Sequence, residues 1–317
     1  MPETFTRPVL TPAAARARNG QDRTTGPAGD RPLISLTTDF GERDPSPAIC
    51  RGVILGIAPD ARLVDVSHEV AKFAILDGAL LLWAALPYLP VGVHVAVVDP
   101  GVGTSRLPIA IRVARGDVLV GPDNGLLLPA AERLGGALAV HVLENRDYQL
   151  PAVSASFHGR DVFAPAGAHL ALGVPLEAFG PALDLASLVR LDLPAPQPLD
   201  DALATSAIYV DTFGNVKLAG ERHDLEAVLG PLAPGARLRV AAPVQEPSLD
   251  DDRLGLRLVE PVVLTWELTF GAVPAGDPLL YEDSYGRLCV AVHQGDAAAR
   301  LGFHAGDRLT IRRDSAR

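Results

Sequence analysis

His94-Val95-Ala96-Val97-Val98-Asp99-Pro100-Gly101-Val102-Gly103-Thr104-Ser105-Arg106 is the stretch that decides how this chain folds. Five apolar or near-apolar residues read as a buried strand that ends in a carboxylate. A polar, glycine-containing turn then returns a guanidinium to the same region. In an open α/β sheet, the carboxyl ends of strands are where ligands bind. A second polar cluster, Ser156-Phe157-His158-Gly159-Arg160-Asp161, lies further along. Asp, Arg and His together are suited to positioning and activating a water.

Outward from this strand, apolar runs alternate between two periods. Leu33 to Thr37 reads as the first strand and ends at Asp39-Phe40-Gly41. Ala48 to Ile57 has helical spacing and stops at Ala58-Pro59. Leu63 to Val66 is a short strand, and Ile75 to Leu86 is apolar nearly all round, as a buried helix is. Ile109 to Val113 and Val118 to Val120 form a pair, a hairpin across Arg115-Gly116-Asp117. Leu127 to Leu134 and Asp161 to Leu172 are helices, the second ended by Gly173. Strands alternating with helices predict an α/β fold, a Rossmann-like and mostly parallel sheet flanked by helices, over residues 31–183.

The remaining segments differ in composition. Residues 1–30 are rich in Pro, Ala, Gly, Thr and Arg without a hydrophobic period, and read as a disordered tail. Residues 184–201 are Pro-, Leu- and Asp-rich and read as a linker. From 202 to 317 the pattern is mostly strands: Ala207 to Val210, Leu238 to Ala241, Val262 to Leu268, Leu279 to Tyr281, Leu288 to Val292 and Leu309 to Ile311. A smaller C-terminal all-β domain, barrel or sandwich, is expected there.

Composition narrows the function. With 48% apolar and 21% charged residues, the 317-residue chain can build packed cores. A net charge of −10 argues against sequence-independent nucleic-acid binding, which needs a cationic surface. No apolar run reaches the roughly 20 residues of a membrane span, and the N-terminus lacks the apolar core of a secretory signal. A cytoplasmic location is the expectation. The two cysteines, Cys50 and Cys289, sit among apolar neighbours and read as packed thiols.

Individual motifs are weaker. Gly101 to Arg106 fails the dinucleotide fingerprint, because Arg106 stands at the third glycine, and it lacks the Gly-Lys-Ser/Thr ending of a P-loop. Asp65, His68, Asp99 and His158 do not have diagnostic metal-ligand spacing, so no metal is expected. His68 reads equally as a turn residue or a site residue. Asp123-Asn124-Gly125 is a turn signal. Asp39 is a turn aspartate by default, raised toward ligand contact by its place at a strand's end. Asp211-Thr212-Phe213-Gly214-Asn215 reads evenly as a β-turn or as a purine site, with a ring for stacking and an amide for edge hydrogen bonds. Arg106 could simply pair with Asp99, and His158 could cap the following helix.

In order, however, the pieces resemble one family. Thr38-Asp39-Phe40-Gly41, Asp65-Val66-Ser67-His68, Val97 to Gly103, Gly121-Pro122-Asp123-Asn124-Gly125, Ser156 to Pro165, Asp211 to Asn215, and Asp283 to Leu288 ahead of Gly295-Asp296-Ala297-Ala298 resemble the S-adenosyl-L-methionine (SAM) hydroxide adenosyltransferases, or SAM hydrolases. These are relatives of the fluorinase and chlorinase enzymes. The resemblance runs from about residue 33 to the end of the chain. It implies hydrolysis of SAM, as substrate and not cofactor, to adenosine and L-methionine by water or hydroxide attack at C5′. It implies a water-activating triad at Asp99, Arg106 and His158. Asp39 would take the ribose hydroxyls; Asp44, Ser46, Asp211 and Ser284 the amino-acid end; Phe213, Asn215 and Phe270 the adenine. It further implies a homotrimer, with sites between the N-terminal domain of one subunit and the C-terminal domain of the next.

Two segments depart from the family pattern. Its Tyr-Val-Gly segment is replaced by Ser46-Pro47-Ala48-Ile49-Cys50-Arg51-Gly52, and its Gly-Tyr-Leu-Glu strand by Gly286-Arg287-Leu288-Cys289. The halogenating relatives carry an extra N-terminal loop and lack the triad, whereas little room exists here between His68 and Asp99. Beside hydrolysis stand a halogenase-like enzyme, a non-catalytic SAM or adenosine sensor, and a structural trimer with a vestigial pocket.

Overall fold

The computed structural model describes residues 31–241 and 261–314; the tail expected over residues 1–30 lies outside them. The chain divides into two compact units, one ending at Leu191 and one beginning at Asp192.

In the N-terminal unit six strands form one sheet. They are β1 (Leu33–Thr38), β2 (Arg62–Ser67), β3 (Val93–Val97), β4 (Pro108–Val113), β5 (Val118–Pro122) and β6 (Ala137–Val142), in the order β2-β1-β3-β5-β4-β6. The pairs β1–β2, β1–β3 and β3–β5 are parallel, and β4 runs antiparallel to both β5 and β6. Helices α1 (Ser46–Ile57) and α4 (Ala164–Ala171) share one core with Val95 and Val97. Helices α2 (Ile75–Ala85) and α3 (Leu128–Arg133) share another with Ala96 and Val98. Successive residues of β3 thus enter opposite cores, which is why every residue of the strand is buried and its apolar residues do not alternate with exposed ones.

Strand order creates a crevice. From β1 the chain moves outward to β2, then crosses back to β3 on the other side of β1. Such a reversal leaves the two connections diverging, and ligands bind at the carboxyl ends there. Thr38 of β1 is in register with Val97 of β3. Asp39 and Asp99 therefore leave the sheet beside each other at this reversal.

The C-terminal unit is a closed barrel rather than a sandwich. Strands β8 (Ala202–Val210), β9 (Val216–Leu218), β10 (Arg237–Ala241), β11 (Val262–Trp266), β12 (Pro278–Glu282), β13 (Leu288–Val292) and β14 (Arg308–Arg313) follow the order β14-β10-β11-β12-β13-β9-β8, and β14 pairs with β8 to close the ring. The two-residue β7 (Gln197–Pro198) pairs with β8 from outside it. Closure removes the open edges that invite aggregation. Trp266, Phe303, Leu238 and Ile311 fill the interior.

Elements without a sequence expectation have local causes. The short helix α5 (Arg222–Leu229) is amphipathic but carries charge, held by a Glu221/Asp224 capping box and an Arg222–Glu226 pair. Helix α6 (Ala297–Leu301) starts on the Asp296 side chain and ends at Gly302. The helix expected from Asp161 begins earlier, as a π-helical turn over Gly159–Phe163 that runs into α4.

Candidate active site

The loop after β3 is a tight turn closed on itself. The Val102 N–H donates to the Asp99 carbonyl, and the Thr104 N–H and hydroxyl both reach the Gly101 carbonyl. Gly103 has φ +76°, and a Cβ there would stand 2.3 Å from the Ala155 carbonyl oxygen. Only glycine lets this loop lie against the segment that leads to His158.

That approach brings Asp99, Arg106 and His158 together. Arg106 Nε donates to both Asp99 oxygens at 2.9 Å, and its terminal nitrogen donates to Asp99 Oδ2 as well. The same terminal nitrogen lies 3.0 Å from His158 Nδ1. The Arg106 and Asp99 side chains are only 9% and 5% exposed, so water screens this pair weakly. The guanidinium also lies over the Phe163 ring, 5.1 Å from its centroid.

Arginine can only donate, so His158 Nδ1 accepts, and the neutral ring carries its proton on Nε2. Burial, and then the neighbouring Arg106 charge, hold the His158 pKa below its usual value. The imidazole is fixed as a neutral Nε2–H donor.

His158 is held from both sides. Phe157 packs edge-on against Phe40, centroids 5.7 Å apart. Asp161 is fully buried, accepts from Arg160 Nε at 2.6 Å and from the Ser154 N–H at 2.8 Å, and so ties the approach segment to the π turn.

Asp39 stands at the neighbouring strand end. Its Oδ2 accepts from the Phe73 N–H at 2.9 Å. Phe73 has φ +65° and is 70% exposed, an uncommon conformation for a bulky residue. The sequence reading passed over Phe73; a lone aromatic in the polar link between β2 and α2 was the available signal. His68 is buried beneath this turn, its Nδ1 2.8 Å from Thr38 Oγ1 and its Nε2 3.0 Å from Asp65 Oδ1, and Asp65 in turn pairs with Arg51. His68 and Asp65 thus have their own partners, separate from those of Asp99 and His158.

Asp44 and Ser46 pair with each other. Asp44 Oδ1 accepts from both the N–H and the hydroxyl of Ser46, and these bonds lower the Asp44 pKa. Pro47 fits because it lies in the first turn of α1, where no helical N–H bond is lost. Asn124 takes the turn role: its amide donates to the Val98 carbonyl and accepts from the Leu126 N–H. Burial pushes the Cys50 thiol up to about 12 and the Cys289 thiol up to about 11, so neither is a nucleophile at neutral pH.

The other sequence-predicted residues lie in the C-terminal unit. Asp211 follows β8 and accepts at Oδ1 from the Phe213 and Asn215 N–H groups and at Oδ2 from the Asn215 side-chain amide, each at 2.9 Å. The segment is a turn, and it leaves Phe213 77% exposed. Phe270 packs on Tyr281, centroids 4.8 Å apart, and keeps 37% of its surface exposed. Ser284 is exposed in the turn after β12.

No helix among the described residues is long and apolar enough to cross a membrane. Comparison with known proteins gives one consistent result. Residues 34–180 match the family model described as the SAM hydroxide adenosyltransferase N-terminal domain, and residues 205–310 match that of the C-terminal domain. The chain is 45% identical over 280 residues to an (R)-S-adenosyl-L-methionine hydrolase of Salinispora tropica, covering 88% of this chain and 97% of the relative. A Thermus thermophilus protein of the same description is 38% identical, covering 87% and 97%. A fluorinase of an Actinoplanes species is 29% identical, covering 90% and 99%. A crystal structure of a Thermotoga maritima protein superposes with a TM-score of 0.77 at 32% identity, covering 88% of this chain and all of that one.

Proposed function

Since the chain belongs to the SAM hydroxide adenosyltransferase family, we propose that it is a SAM hydrolase, forming adenosine and L-methionine, with Asp99, Arg106 and His158 acting on the attacking water. The observation that carries this reading is the single guanidinium shared by Asp99 and His158 at the strand-order reversal.

The substrate is a sulfonium. Its leaving group departs as a neutral thioether and needs no general acid. A water oxygen in line with the C5′–S bond forms the C5′–O bond as the C5′–S electron pair withdraws onto sulfur. One proton is released overall. The demand on the protein is placement, and good placement alone is worth about 7–11 kcal/mol.

Arg106 supplies positive charge that favours hydroxide character in a nearby water. Asp99 holds the guanidinium in one orientation by accepting from two of its nitrogens. His158, neutral and protonated on Nε2, donates to the water oxygen and directs its free lone pair; in this form it orients the water rather than deprotonating it. Asp39, with one oxygen committed to the Phe73 N–H, offers the other to the ribose hydroxyls. Asp44, Ser46, Asp211 and Ser284 are assigned to the amino-acid end, and Phe213, Asn215 and Phe270 to the adenine. A homotrimeric assembly and a cytoplasmic location belong to the same proposal. Sedimentation velocity tests the assembly.

Incubation with SAM in oxygen-18 water, followed by mass analysis of the nucleoside, tests the chemistry. Adenosine carrying the label on its 5′ oxygen is expected. Unlabelled adenosine, or retained SAM without turnover, overturns the proposal.

A further inference from the structure

Two turns of the C-terminal unit are built alike. Asp211-Thr212-Phe213-Gly214-Asn215 and Asp283-Ser284-Tyr285-Gly286-Arg287 each run Asp, hydroxyl, aromatic, Gly and a polar residue. In each, one aspartate oxygen accepts from the N–H groups two and four residues on: Asp211 from Phe213 and Asn215, Asp283 from Tyr285 and Arg287. The glycines have φ +79° and +80°. In both, the aromatic ring is left exposed, Phe213 at 77% and Tyr285 at 42%.

Lys217 lies between them. Its ammonium is 3.0 Å from Asp283 Oδ2 and 3.5 Å from Asp211 Oδ2, in each case on the oxygen opposite the one that shapes the turn. The lysine side chain is 12% exposed and that of Asp283 only 3%. Asp283 Oδ2 has no hydrogen-bond donor among the described residues apart from this ion pair. Strand register fixes the lysine: β9 pairs Lys217 with Cys289 of β13 on one side and with Tyr209 of β8 on the other. Burial opposes its charge, but Cys289, Asp283 and Asp211 together hold its pKa above the ordinary value.

We propose that Lys217 is a positioning residue of the substrate site, a cationic tie that sets the separation of the two turns. The inference rests on the SAM hydrolase reading for what the turns carry: Asp211, Phe213 and Asn215 on one, Ser284 on the other. Two neighbouring carboxylates without a counter-ion repel, which pushes the turns that carry them apart. With Lys217 bridging both carboxylates the two turns are held at one separation, and with them the residues assigned to the amino-acid end and the adenine. Lys217 touches no reacting atom, so its loss weakens substrate binding and leaves the chemical step nearly intact.

The test compares Lys217→Met, Lys217→Arg and the double variant Lys217→Met/Asp283→Asn. The double variant removes the stranded carboxylate and preserves the fold. Lys217→Met is expected to raise KM for SAM about tenfold with kcat within about threefold of wild type. Lys217→Arg restores KM, because a guanidinium spans two carboxylates. The double variant regains thermal stability but keeps the raised KM. Amide hydrogen exchange gives an activity-independent readout: the Phe213, Asn215, Tyr285 and Arg287 N–H groups lose protection together in Lys217→Met. Return of KM to the wild-type value in the double variant, or unchanged protection at both turns, overturns the inference. A wild-type protein that releases no adenosine defeats the hydrolase reading instead, and the exchange data still decide the role of the tie.

Discussion

His94 and Asp117 are buried together at the opposite end of β3 from Asp99, with His94 Nε2 3.0 Å from Asp117 Oδ1. Ser35 Oγ lies 2.7 Å from His94 Nδ1, and Arg115 Nε donates to Asp117 Oδ2 at 2.7 Å. The order Ser, His, Asp looks hydrolytic, but Ser35 is fully buried and no substrate reaches it. This network anchors the amino ends of β1, β3 and β5, and so holds the opposite ends in place.

Asp117→Asn is expected to lower stability by about 3–5 kcal/mol at pH 7, the usual cost of breaking a buried pair from one side. Burial opposes the Asp117 charge, but His94, Arg115 and the Gly92 N–H outweigh it and depress the pKa. A depressed carboxylate stabilises above its unfolded pKa of about 3.9 and loses that contribution as pH falls through the folded value. Urea titrations should therefore show the gap between wild type and variant narrowing only below about pH 4. A gap unchanged down to pH 2 contradicts this account.

Replacement of His158 separates orientation from proton removal. Glutamine can accept from Arg106 through its oxygen, as His158 Nδ1 does, and donate to water through its nitrogen, the role proposed for Nε2. His158→Ala should lower kcat about 100-fold or more, while His158→Gln stays within about tenfold of wild type. Equal losses in steady-state assays would instead make the imidazole a base.

The pH profile follows from the same ring. Burial and Arg106 hold the His158 pKa below its ordinary value of about 6.5, so the neutral form persists into mildly acidic solution. The acid limb of kcat/KM assigned to this residue should fall below that value and vanish in His158→Gln. A limb centred above pH 7 that His158→Gln abolishes is incompatible with this assignment.

Gly103→Ala tests the loop from a distance. Its Cβ would collide with the Ala155 carbonyl at a positive φ, pushing Arg106 away from His158. A loss of about 100-fold in kcat is expected for a displacement near 1 Å, with Tm lowered only modestly. Full activity in this variant would show that the glycine is not needed for the approach.

The sheet was legible because β3 is buried on both faces, apolar but for His94, and its neighbours alternate with helices, a pattern set by local physics. The barrel was half legible. Strand β9 is three residues long and half of α5 is charged or polar, so neither rises above its surroundings without the partners that hold it. Asp99 and Arg106 could be read together since seven positions and a turn separate them. His158 lies 52 positions beyond Arg106, and its approach depends on Gly103 clearing a carbonyl, a relation that periodicity does not carry. Lys217 was silent for the same reason: on a short strand it reads as any surface lysine, and its meaning comes from two distant aspartates.

The π turn over Gly159–Phe163 holds one residue more than a regular helical turn would. Each residue advances a helix by about 100°, so a turn one residue shorter would turn His158 relative to α4 and away from Arg106. The length of this turn, as much as its composition, therefore sets the direction from which His158 meets Arg106.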